Sequence, residues 1–89
     1  MKIPGPDQIL FIALHMSMRP SERLVTSDSL LRGRELRFKR ATVNWLVDNG
    51  WITLTPTGHD DERLELTPLA LANRKTIMQL ARALGNRSV

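Results

Sequence analysis

Two short stretches in the second half of the chain constrain its fold most. Trp51-Ile52-Thr53-Leu54-Thr55 and Arg63-Leu64-Glu65-Leu66-Thr67 both alternate apolar and polar residues, the period of a half-buried strand. Pro56-Thr57-Gly58-His59-Asp60-Asp61-Glu62 lies between them, and it is rich in turn formers. The pattern predicts a β-hairpin with Ile52, Leu54, Leu64 and Leu66 inward. Its flanks are equally informative. Gly50 reads as the left-handed residue just past a helix end. Thr67-Pro68 reads as the N-cap and first residue of another helix.

The rest of the chain is organised around that hairpin. Pro4-Gly5-Pro6 is a stiff lead-in, and Asp7 complements the positive end of a first helix from about Asp7 to Ser17. That helix is apolar almost all round, so it needs cover on more than one side. Arg19-Pro20-Ser21 is a break. Thr26, Ser27 and Asp28 are N-cap candidates for a short second helix carrying Leu30 and Leu31, ended near Gly33. A third helix is expected from about Glu35 to Asn49, and a last one from Pro68 to about Leu84 with Gly85 just past it. The expected fold is α+β and mostly helical. Its 89 residues fit a single domain: lead-in 1–6, core 7–67, C-terminal helix 68–84 and tail 85–89. The longest apolar run, Ile9-Leu10-Phe11-Ile12-Ala13-Leu14, falls far short of the ~18–20 residues of a membrane span. The absence of cysteine removes disulfides and thiolate metal sites and is compatible with a cytoplasmic setting.

Net charge is +4, but its layout says more. Arg32, Arg34, Arg37, Lys39 and Arg40 crowd one stretch with a single acid, Glu35. From Asp48 to Glu65 the balance reverses, with Arg63 the lone base. At 100° per residue the third helix places Phe38, Thr42, Val43, Trp45 and Leu46 on one arc. Arg37, Arg40 and Asn44 fall opposite. Arginine can pair with guanine and asparagine with adenine in the major groove of DNA, which admits one helix. Arg37, Arg40 and Asn44 are therefore candidate base readers, and Arg32, Arg34 and Lys39 candidate phosphate contacts. The plain alternative is a solvated basic face. Phe38 and Trp45 share the apolar arc and are assigned to core packing rather than base stacking.

These residues together resemble a winged helix-turn-helix domain. The similarity lies in the short helix around Ser27–Leu31, in Val43-Asn44-Trp45-Leu46-Val47-Asp48-Asn49-Gly50-Trp51-Ile52, and in Leu64-Glu65-Leu66-Thr67-Pro68. The pattern is similar to that of bacterial MarR-like and PadR-like regulators. The resemblance implies three helices, a hairpin wing and a C-terminal helix, and a sequence-specific regulator of transcription bound to double-stranded DNA. It also implies that Asp61-Glu62-Arg63 matches a wing motif whose aspartate orients a minor-groove arginine. MarR-like proteins carry further dimerisation helices for which this chain has no room, so no effector pocket is carried over.

Ala70, Asn73, Ile77, Leu80 and Leu84 recur at spacings of three and four, a heptad-like seam in which an amide can fix register. With Phe11 of the first helix, Asn73, Ile77, Leu80 and Leu84 are the expected homodimer contacts. The alternative is that the stripe packs on the domain's own core. His59-Asp60-Asp61-Glu62 is the one acid–base or metal-like cluster, and it sits on an expected hairpin tip. No phosphate loop or nucleophile motif is present, so neither an enzyme nor a cofactor is expected. A protein-interaction module using the apolar helices is the rival to a DNA-binding regulator.

Overall fold

The computed structural model describes residues 3–26 and 38–87, the side chains of 86 and 87 excepted. The described chain forms a small α+β domain with four helices and a three-stranded antiparallel sheet. Helix α1 (Pro6–Met16) starts where Pro6 needs no amide partner, with Asp7 in its first turn. Strand β1 (Leu24–Thr26) follows a short 3-10 turn at Pro20–Glu22. After the undescribed segment 27–37 come α2 (Arg40–Asp48), β2 (Ile52–Pro56), β3 (Asp61–Leu66), α3 (Pro68–Ala72) and α4 (Arg74–Arg87). Sheet order is β1-β3-β2, with Ile52 opposite Leu66, Leu54 opposite Leu64, and Val25 opposite Glu62. The expected hairpin is therefore present in the expected phase, with Ile52 and Leu64 buried and Leu54 and Leu66 half-buried against the core. Strand β1 was not expected.

The core joins α1, α2, the sheet, α3 and α4 through Phe11, Ile12, Val25, Val43, Leu46, Ile52, Leu64, Ala70 and Ile77. Burying one of these side chains of valine size or larger contributes ~1.5–3 kcal/mol. Helix α2 ends in a Schellman arrangement: the Trp51 amide donates to the Leu46 carbonyl at 2.9 Å and the Gly50 amide to Val47 at 3.1 Å. Gly50 takes φ +77, where a side chain would be strained. Thr67 ties the far end of the hairpin to this turn. Its hydroxyl donates to the carbonyl of Gly50 at 2.6 Å, with that of Trp51 at 3.0 Å, and accepts from the Ala70 amide at 3.3 Å as the cap of α3.

Several expectations are corrected. The third helix begins at Arg40, not Glu35. Lys39 is its extended N-cap, and Phe38 precedes it, packed edge-on against the Phe11 ring at 5.1 Å. That contact draws the chain onto α1 before the helix starts. The last helix is not continuous. Asn73 leaves helical geometry (φ -106, ψ 13) and donates from Nδ2 to the Leu69 carbonyl at 2.8 Å, competing with the backbone and ending α3. Asn73 thus ends α3 through its own side-chain bond to the preceding turn. Gly85 lies within α4, not beyond it. Phe11 and Ile77 are buried in the domain's own core and are not available to a second subunit. The proposed second helix around Ser27–Leu31 lies outside the described residues.

His15 is fully buried on α1. Its Nδ1 lies 3.0 Å from the Phe11 carbonyl, which fits donation by a neutral ring, and Nε2 has no hydrogen-bond partner among the described residues. Burial lowers its pKa; the bond to Phe11 opposes the shift and the Arg23 charge adds to it. The unfolded chain therefore binds this proton first. The neutral ring's contribution is complete above the ordinary value of 6.5 and is lost as pH falls below it toward the lower folded value. Urea midpoints should decline from about pH 7 to about pH 5, and His15→Leu should flatten that decline. An identical decline in both proteins would contradict the assignment.

Candidate functional site

Helix α2 buries Thr42, Val43 and Leu46 and turns Ala41, Asn44, Val47 and Asp48 to solvent, with Arg40 at its first position. The polar residues at its start form one connected group. Arg40 Nε donates to Asn44 Oδ1 at 3.2 Å, one helical turn on. Arg40 Nη1 donates to Glu62 Oε1 at 2.8 Å. Glu62 stands on β3 opposite Val25 of β1 and Pro56 of β2. Arg40 and Glu62 side chains are 40% and 25% exposed, so water screens the pair, which contributes ~0.5 kcal/mol rather than the several of a dry ion pair. Its consequence is geometric: it fixes the guanidinium between the helix and the hairpin.

The charge around this group is mixed. Lys39 is exposed at the N-cap and has no ion pair among the described residues. Asp48 is exposed at the other end of α2, and Asp60 is exposed on the hairpin turn. Glu62 interrupts the passage from α2 to the hairpin with a carboxylate. Arg32, Arg34 and Arg37 lie outside the described residues.

At the hairpin turn, Gly58 takes φ +92. The Thr57 hydroxyl bonds the carboxylate of Asp61 and lies 3.2 Å from its carbonyl, while the His59 amide donates to Thr57 Oγ1 at 3.3 Å. Asp61 is buried, so its carboxylate is part of the turn's own construction. Arg63 is exposed on the outer face of the sheet, opposite Leu24 and Thr55. The acidic run from His59 to Glu62 is dispersed, and among the described residues no three His, Cys, Asp or Glu side chains cluster as metal ligands.

The expected dimer seam is reduced to its outer members. Leu80 is 39% exposed, Leu84 and Asn73 are half-buried. Leu80 stands between hollows of about 180 and 260 Å³, both bordered by Pro4. Glu62 is the member of the Arg40 group that sequence reasoning missed. It lies 22 positions from Arg40, and only the pairing of β3 beside the start of α2 brings the two together.

Compared with protein-family models, curated proteins and solved structures, the chain matches none. Among the described residues no helix is long and apolar enough to cross a membrane.

The Arg40–Glu62 pair has a direct check. A double-mutant cycle of Arg40→Ala and Glu62→Ala on unfolding free energy should show a coupling of ~0.5 kcal/mol that shrinks in high salt. Strict additivity at low salt would show that the pair is not formed in solution.

Proposed function

We propose that this chain is a winged-helix domain that binds double-stranded DNA, with α2 in the major groove and the β2–β3 hairpin as the wing. The observation that carries the reading is the group at the start of α2. Arg40 and Asn44 lie on its solvent side, with Arg40 at its N-terminus bonded to Glu62 of β3, and in a helix-turn-helix the N-terminal half of the recognition helix meets the bases. The element order also supports it: helix, strand, a segment long enough for a short helix, helix, hairpin, with β1 joined to the hairpin in one sheet. The arginine-rich segment 32–37 runs directly into α2 and adds the positive charge that draws a polyanion.

In this reading Arg40 contacts bases and Lys39 a phosphate. Arg32, Arg34 and Arg37 contribute from the preceding segment, and Arg63 borders the wing. Regulation follows from occupancy: a domain seated on an operator blocks or adjusts polymerase access. A second copy joins through Leu80 and Leu84 rather than through the buried Phe11 and Ile77. Two such copies read half-sites separated by about one DNA turn, ~10 bp, or a multiple of it.

A second reading is favoured by a specific observation. Leu71 and Leu80 are exposed, at 53% and 39%, and Glu62 breaks the positive face, as expected of a protein-interaction module.

Selection of bound duplexes from a random pool at two salt concentrations separates the two. A DNA-binding domain should recover a two-fold-related site and lose affinity steeply with salt. Lys39→Ala should weaken all sequences alike and lower the salt slope by about 1. Failure to retain any duplex at low salt would favour the protein-interaction module.

A further inference from the structure

We infer that Glu62 and Asn44 are positioning residues that hold the Arg40 guanidinium ready for a guanine edge. The inference rests on the DNA-binding reading above and names the base that α2 reads.

Arginine carries five N–H donors on a rigid plane. In Arg40, Nε is engaged by Asn44 Oδ1 at 3.2 Å and one Nη1 donor by Glu62 Oε1 at 2.8 Å. The remaining donors, on Nη1 and Nη2, have no partner among the described residues. The two anchors come from different elements, the helix itself and β3, so they fix both the position of the group and the tilt of its plane. A long side chain held this way loses less freedom when it binds than one that is free to rotate. The edge these donors form presents N–H groups only. Guanine offers two acceptors side by side in the major groove, N7 and O6. Adenine offers an acceptor beside a donor, cytosine a donor, and thymine a single acceptor beside a methyl group. An edge of fixed donors therefore selects guanine.

Two further consequences separate positioning from simple attraction to DNA. Asn44 is drawn from base reading into support, because its carbonyl oxygen already accepts from Arg40. Glu62 sits where a phosphate contact by Arg40 would be opposed by its carboxylate. The pair thus weakens indiscriminate binding and sharpens base choice, so that one residue has opposite effects on the two.

The experiment compares wild type, Glu62→Ala, Glu62→Gln, Asn44→Ala and Arg40→Ala. Each is tested by fluorescence anisotropy on the selected duplex, on duplexes changed at single base pairs, and on an unrelated duplex. Thermal melts confirm that each variant is folded. Wild type should prefer guanine at one half-site position by about tenfold or more. Arg40→Ala should lose that preference, and Glu62→Ala should reduce it about twofold at the same position, while Glu62→Ala binds the unrelated duplex more tightly than wild type. Glu62→Gln, which keeps the acceptor but not the charge, should keep most of the preference and share the tighter unrelated binding. Asn44→Ala should reduce the preference without altering salt dependence.

A Glu62→Ala variant that keeps the full preference, while Arg40→Ala abolishes it, would overturn the positioning role and leave the DNA-binding reading standing. Wild type that binds no duplex would overturn both.

Discussion

The turn at Gly50 sets the geometry on which the candidate site depends. With φ positive, Gly50 lets the Trp51 amide return to the Leu46 carbonyl, so the chain leaves α2 directly into β2. Thr67 bonds the carbonyls of the same turn from the other end of the hairpin. The two strands are thereby pinned at their base to the C-terminus of α2, and their register places Glu62 beside the helix N-terminus. The Arg40–Glu62 contact is a product of that frame. An exposed ion pair of this kind is too weak to define the frame by itself, but a frame already defined can use it to aim a side chain.

Much of this frame is legible in the sequence because its signals are local. Alternation marks the hairpin, glycine marks the end of α2, and Thr67-Pro68 marks the start of α3. What is not legible depends on contacts between distant residues. Strand β1 is three residues long, too short to show a period, and exists because β3 offers it a partner. The start of α2 is shifted by Phe38 meeting Phe11, a contact across 27 positions of chain. The break at Asn73 is local chemistry, but it is masked by an apolar stripe that continues through it. Only the amide's bond to Leu69 reveals the break.

The same distinction governs the candidate site residues. Helical periodicity puts Arg40 and Asn44 on the solvent side of α2, and the structure has them there. It cannot reveal that they bond to each other and to β3. The expectation that Phe11 and Ile77 face a second subunit is revised for a related reason. Phe11 and Ile77 are apolar residues on amphipathic helices, and apolar periodicity does not say whether the domain's own core or a partner covers them. Here α1 and α4 cover each other, and Leu80 is left at the surface between two hollows.

The most direct test of the central idea, that the start of α2 meets duplex DNA, is a heteronuclear NMR titration of the protein with its selected duplex. The Arg40 side-chain Nε–H signal, the Asn44 amide and the backbone amides of α2 and the 57–60 turn should shift together. Signals near Leu71 on α3 should remain in place. Shifts confined to the α3–α4 surface, with α2 unchanged at saturating DNA, would contradict it.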